Sequence, residues 1–226
     1  DAAVREHNIA ALAYVFGFCT NYALDRVTHA FLEAQADRLV PYVPGYSAAA
    51  RRSLVESDID GIMIAGFIDA DPAGFKAYRL LDPTAAECTI LSRVLSHAAK
   101  TVYGMRVSPA AVYHSLHDMR HVLHLTHSGS QSRGRLQRFE RLLGKSGLAS
   151  SHIRPAEPLA ADCANEAHRP WLSDGVERTD SFTDLFDAAV PLAVSLQRAV
   201  LDRYYQQKPL DPRFFPTDFT GTVAKS

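Results

Sequence analysis

The run Ile9 to Cys19, Ile-Ala-Ala-Leu-Ala-Tyr-Val-Phe-Gly-Phe-Cys, constrains the fold more than any other part of the chain. It predicts a helix over residues 3–38 that is apolar on nearly all sides through Leu24. A helix of that kind belongs in the middle of a bundle. At about 11 residues the run is well short of the ~20 that a membrane span needs. It lacks the basic lead and cleavage site of a signal peptide. No transmembrane segment and a cytoplasmic location are therefore expected.

Past Thr20 the same helix carries Asn21, Asp25 and His29 at a spacing of four. Each step of four rotates the helix by about 40°, so these residues form one stripe. A carboxylate on a buried helix needs a partner cation, because a bare buried charge costs several kcal/mol. The next predicted helix, capped by Ser47 and ending near Phe67, carries Arg52, Glu56 and Asp60 at the same spacing. Two readings follow. Asp25, His29 and Glu56 meet a divalent cation, as facing helices of bundles often do. Alternatively, Arg52, Asp25 and Glu56 form a salt-bridge network with His29 hydrogen-bonded beside it. In the second reading Arg52 is a built-in cation, and breaking a buried pair of this type costs ~3–5 kcal/mol.

The rest of the chain also reads as helical. Thr84 to Glu87 is a capping box opening a helix that Gly104 stops. Ser108-Pro109 opens another, and residues 132–143 form a short one. Asp180 or Ser181 caps a long last helix to about residue 207, with Pro191 expected to kink it. Residues 146–178 read as a long loop, and residues 208–226, with Phe214, Phe215 and Phe219, as an extended strap. No alternation of period two persists, so no strand is expected. The class is all-α, a single domain over 1–226 arranged as a bundle of about five to seven helices. Hydrophobic residues at 47% and charged residues at 22% exclude intrinsic disorder. A net charge of -1 supplies no bulk attraction to nucleic acid or to anionic membranes, and no nucleic-acid partner is expected. Three widely spaced cysteines do not make a disulfide framework.

Of His114, His117, His121, His124 and His127, the first four form a stripe within about 80°, expected to lie opposite Val112, Leu116, Met119 and Leu123. A solvated face is expected there. Arg135, Arg138, Arg141 and Lys145 line one side of the fifth helix, with Arg133 nearby, and also read as a solvated face. His168 and Trp171 are candidates to border a pocket, with Asp60 as a third. For Trp171 an anchoring role is favoured. Cys19 reads as an inert core thiol.

The stretch Gly17-Phe18-Cys19-Thr20-Asn21-Tyr22-Ala23-Leu24-Asp25-Arg26-Val27-Thr28-His29 resembles the signature of the bacterial zinc-dependent phospholipase C-like family, whose members are all-α and related in fold to phospholipase C and P1 nuclease. Gly17, Phe18, Tyr22, Ala23, Leu24, Asp25 and His29 match that signature, and Glu56 matches a second motif. Weaker likeness continues through Ala77 to Leu81, His117 to Arg120, Asn165 to Trp171 and Glu177 to Leu185. The resemblance implies that Asp25, His29 and Glu56 are zinc ligands. At two implied ligand positions this chain departs from the family, with Asn21 and Arg52 in place of histidines. Asparagine is a poor zinc ligand, and arginine is none at all. The resemblance thus implies zinc in fewer copies than the family holds, or none. The expected function is a family member with an eroded zinc site and weak or no hydrolase activity. The alternatives are an active zinc-dependent hydrolase of phospholipid head groups or similar phosphoesters, and a protein that binds one metal ion.

Overall fold

The structure is a computed structural model, and it describes residues 9–125, 127, 132–155, 157–173 and 175–217. Its described residues form an all-α fold with six α-helices. These are α1 (Ile9–Arg38), α2 (Ala48–Phe67), α3 (Ala85–Tyr103), α4 (Pro109–Leu125), α5 (Ser132–Leu142) and α6 (Phe182–Gln206). The predicted start of α1 at residues 3–8 lies outside the described residues, as do Ser128 to Ser130 and Phe219.

The helix ends are set by local chemistry. Ser47 accepts a hydrogen bond from the Ala50 amide at 3.2 Å and starts α2. Thr84 and Glu87 exchange side-chain and backbone bonds, a complete capping box for α3. Gly104 ends that helix at φ 67°, a left-handed conformation that glycine adopts without steric cost. Ser108 caps α4 through the Ala111 amide at 3.1 Å, with Pro109 at the first helical position. Ser181 and Asp184 exchange the same kind of bonds at the start of α6, which continues through Pro191.

Packing groups the chain into two compact units, and the division falls inside helices. One unit holds residues 1–27, 81–121 and 186–226. Its core is Cys19, Tyr22, Ala23, Ala193 and Leu196, with Val15, Leu192, Val200, Phe214 and Phe215 packed around it. Phe214, Phe215 and Thr217 close over this core. Phe215 stacks at 5.2 Å on Tyr22, whose hydroxyl donates to the Thr217 carbonyl at 2.8 Å. Burial pushes the Cys19 thiol up, in keeping with an inert core residue.

The other unit holds residues 28–80 and 122–185. Its core includes Phe31, Leu54, Val55, Ile153, Trp171 and Leu185. Trp171 meets Phe31 edge-on at 5.4 Å and donates its indole N–H to the Asp180 carbonyl at 3.1 Å.

Three expectations need correction. The segment through Leu24 is not enclosed on all sides, since Ile9 is 67% exposed and Phe18 43%. Only the stripe Ala11, Leu12, Cys19, Tyr22 and Ala23 is buried; apolar composition fixed the helix but not what covers it. Residues 146–178 are no featureless loop. They hold a 3-10 turn at Ser150–His152 and an antiparallel hairpin of β1 (Trp171–Ser173) and β2 (Val176–Arg178) with Trp171 opposite Arg178. Three-residue strands are too short to leave an alternating pattern. On α4 the face opposite the histidines is only half-buried at Val112, Leu116 and Leu123, and Met119 is 53% exposed, so that face is shallowly covered rather than part of the core.

Candidate functional site

Arg51 and Arg52 fix the start of α2 on the second half of α1. Arg51 donates from Nε to the Ala36 carbonyl at 2.9 Å and from Nη1 to the Tyr46 carbonyl at 2.9 Å. It thereby satisfies a carbonyl in the last turns of α1 and clamps the connecting turn. The adjacent Arg52 is then presented to the stripe of α1. Its Nη1 lies 2.8 Å from Glu33 Oε1 and 3.0 Å from His29 Nε2, and its Nε donates to Glu56 Oε1 at 3.0 Å. One guanidinium thus bridges two carboxylates and an imidazole from two helices.

A guanidinium has donors only, so His29 Nε2 is the acceptor in that contact and the ring proton sits on Nδ1. Burial works against the charge on Arg52, but the hydrogen bonds and charges of Glu56 and Glu33 outweigh it and raise its pKa further. The side chain of Arg52 is 24% exposed, against 50% for Glu33 and 45% for Glu56. The cluster is a half-open ionic network rather than a buried one.

The other candidate residues are placed as follows. Asp25 is half-buried one turn before His29, and Asn21 is exposed a turn earlier. Asp60 lies one turn beyond Glu56 with its residue surface exposed. The protein around it raises its carboxyl pKa, Arg154 opposes that, and Glu56 adds to it. His168 is exposed, with Nδ1 3.1 Å from the Thr179 carbonyl, and Trp171 is buried as an anchor. The two therefore face different surroundings.

Four residues to which the sequence assigns no role carry much of the local order. Glu33 continues the four-residue stripe after His29, and that spacing was the available signal. Asn165, fully buried, accepts from Arg38 Nη1 at 3.0 Å and ties residues 165–180 together through the carbonyls of Arg169 and Asp180. Asp58, also buried, accepts from the Leu159 amide at 2.8 Å. The neighbouring Cys163 thiol is pushed well up by burial and by the Asp58 charge, which makes it unreactive. Glu140 is 3% exposed. Its carboxylate accepts from the amides of Gly147, Ala149 and Ser150 and from the Ser150 hydroxyl.

The residues around Arg52 do not fit a zinc ion in this arrangement. The His29 nitrogen and the Glu56 oxygen that would ligate it already face a guanidinium, and a second cation there would meet its charge. Among the described residues no group of three or more His, Cys, Asp or Glu side chains is arranged to hold a metal. Among them, too, no helix is long and apolar enough to cross a membrane. Comparison with protein-family models, with curated proteins and with solved structures finds no match to this chain.

Proposed function

We propose that this chain is a relative of the zinc-dependent phospholipase C-like family that has given up metal chemistry, and that it serves as a binding or structural protein rather than as a phosphoester hydrolase. The observation that carries the reading is Arg52, whose guanidinium joins Glu33, His29 and Glu56. Metal-assisted hydrolysis relies on ions that activate water and hold phosphoryl oxygens. A guanidinium supplies positive charge and hydrogen bonds, but it neither ligates water nor lowers its pKa. The family's likeness at Gly17, Phe18, Tyr22, Ala23, Leu24, Asp25 and His29 supports common descent. The substitutions Asn21 and Arg52 support the loss of the metal.

The test is metal analysis of the purified chain after equilibration with zinc, paired with a phosphodiesterase and phospholipase C assay. The expected result is no stoichiometric zinc and no turnover, with zinc binding gained in the Asn21→His, Arg52→His double variant. Several zinc ions per chain, with turnover abolished by Asp25→Ala, would establish an active hydrolase instead. One ion per chain without turnover would establish the single-metal reading.

A further inference from the structure

The exposed face of α5 mixes cations with large apolar side chains. At about 100° per residue Arg141, Arg138, Leu142, Arg135 and Phe139 follow one another, in that order, within an arc of about 160°. Arg135, Arg138 and Arg141 are exposed. So are Phe139 at 57% and Leu142 at 83%. Leu143 (55%) and Leu148 (64%), with exposed Lys145, continue the mixture into the following turn. Glu140 is the one acid between Ser132 and Leu148. It points the other way and is used up holding the backbone of 147–150. Among the described residues none of Arg135, Arg138, Arg141 and Lys145 has an acidic partner. The patch therefore presents four uncompensated positive charges on a chain whose net charge is -1.

We infer that this face docks on an anionic lipid bilayer, with Phe139 and Leu142 entering the headgroup layer and the arginines paired with lipid phosphates and carboxylates. The inference is independent of the metal question. On such a mixed face, binding to a bilayer adds apolar burial to electrostatic attraction to anionic lipids. Long basic side chains extend along such a surface and keep their charged ends among the headgroups. The charge pattern disfavours a second copy of the chain as occupant, because a two-fold contact would set the same arginines against each other. It also disfavours a nucleic-acid duplex, which rewards the cations but leaves Phe139 and Leu142 without apolar partners.

The experiment is flotation of the full chain with vesicles of phosphatidylcholine, with and without phosphatidylserine, over a range of salt. The expected result is association with the phosphatidylserine vesicles alone, weakening as salt rises. Each cation near such a surface contributes about fivefold in affinity, so Arg135→Gln, Arg138→Gln, Arg141→Gln together reduce binding by about a hundredfold. Phe139→Ser with Leu142→Ser weakens binding at low salt as well. All five positions are exposed, and unchanged thermal midpoints verify that the fold is retained. No association of the wild-type chain with anionic vesicles overturns the inference. So does binding that the arginine variant leaves intact, or binding indifferent to Phe139 and Leu142. Capture of duplex DNA in place of vesicles, lost in the arginine variant, assigns the face to nucleic acid and overturns it too.

Discussion

Glu140 and Glu56 are carboxylates on helices of the same compact unit, and the protein holds them in opposite ways. Glu140 is enclosed and satisfied by four short-range donors, three of them backbone amides of the turn that follows its own helix. Glu56 stands half in solvent and shares one guanidinium with Glu33 and His29. In the first case the donors are fixed by the backbone and water is excluded. In the second the partner is a long side chain, and water competes for every charge. A buried charge with preorganised donors is costly to disturb, whereas an exposed ion pair contributes little. The more conspicuous charged cluster is thus the energetically weaker one.

The largest effect is expected from Glu140→Ala. It leaves the buried amides of Gly147 and Ser150 and the Ser150 hydroxyl without an acceptor, at ~1–3 kcal/mol for each group that water cannot reach. A stability loss of about 3–5 kcal/mol in denaturant unfolding is expected. A loss no larger than that of an exposed Glu→Ala control would break the contrast.

Acid provides the next test. Desolvation alone raises the Glu140 pKa, but hydrogen bonds from Ser150, Ala149 and Gly147 outweigh it and hold it below its ordinary 4.5. The unfolded chain therefore takes up the proton first as pH falls. The stability this group contributes is complete above pH 4.5 and is lost as pH drops through the lower folded value. Glu140→Gln should flatten the loss of stability below pH 4.5 relative to wild type. Parallel acid-unfolding curves for the two proteins would contradict the assignment.

A smaller effect belongs to Arg52→Ala. From the sequence this guanidinium is expected in a buried pair worth ~3–5 kcal/mol. The observed exposure of its partners lowers the expected cost to about 1 kcal/mol. Half a molar salt should remove most of that difference, since exposed charges are screened over a few ångströms. A loss of ~3 kcal/mol or more, insensitive to salt, would show that the network behaves as a buried one.

Much of the fold was legible because its signals are local. Ser47, Thr84 with Glu87, Gly104 and Ser108-Pro109 each act within one helical turn, and each starts or stops a helix where its chemistry requires. The stripe Asn21, Asp25, His29 is also local, and its extension by one more step reaches Glu33. The Arg52–Glu56 pair was legible for the same reason, one turn apart on one helix. The anchors Glu140, Asn165 and Asp58 were not legible. Each looks like an ordinary surface residue until the fold encloses it.

By itself, then, the sequence determined the helical class, most helix boundaries and the pairing of Arg52 with Glu56, because these depend on contacts a few residues apart. Only the tertiary structure decided which apolar residues are covered, as Phe18 and Met119 against Phe31 and Trp171 illustrate. It alone added Glu33 to the contacts of Arg52, enclosed Glu140, and left Phe139 and Leu142 facing solvent among arginines. Burial is a property of what packs against a residue from distant parts of the chain, and burial sets the strength of every charge.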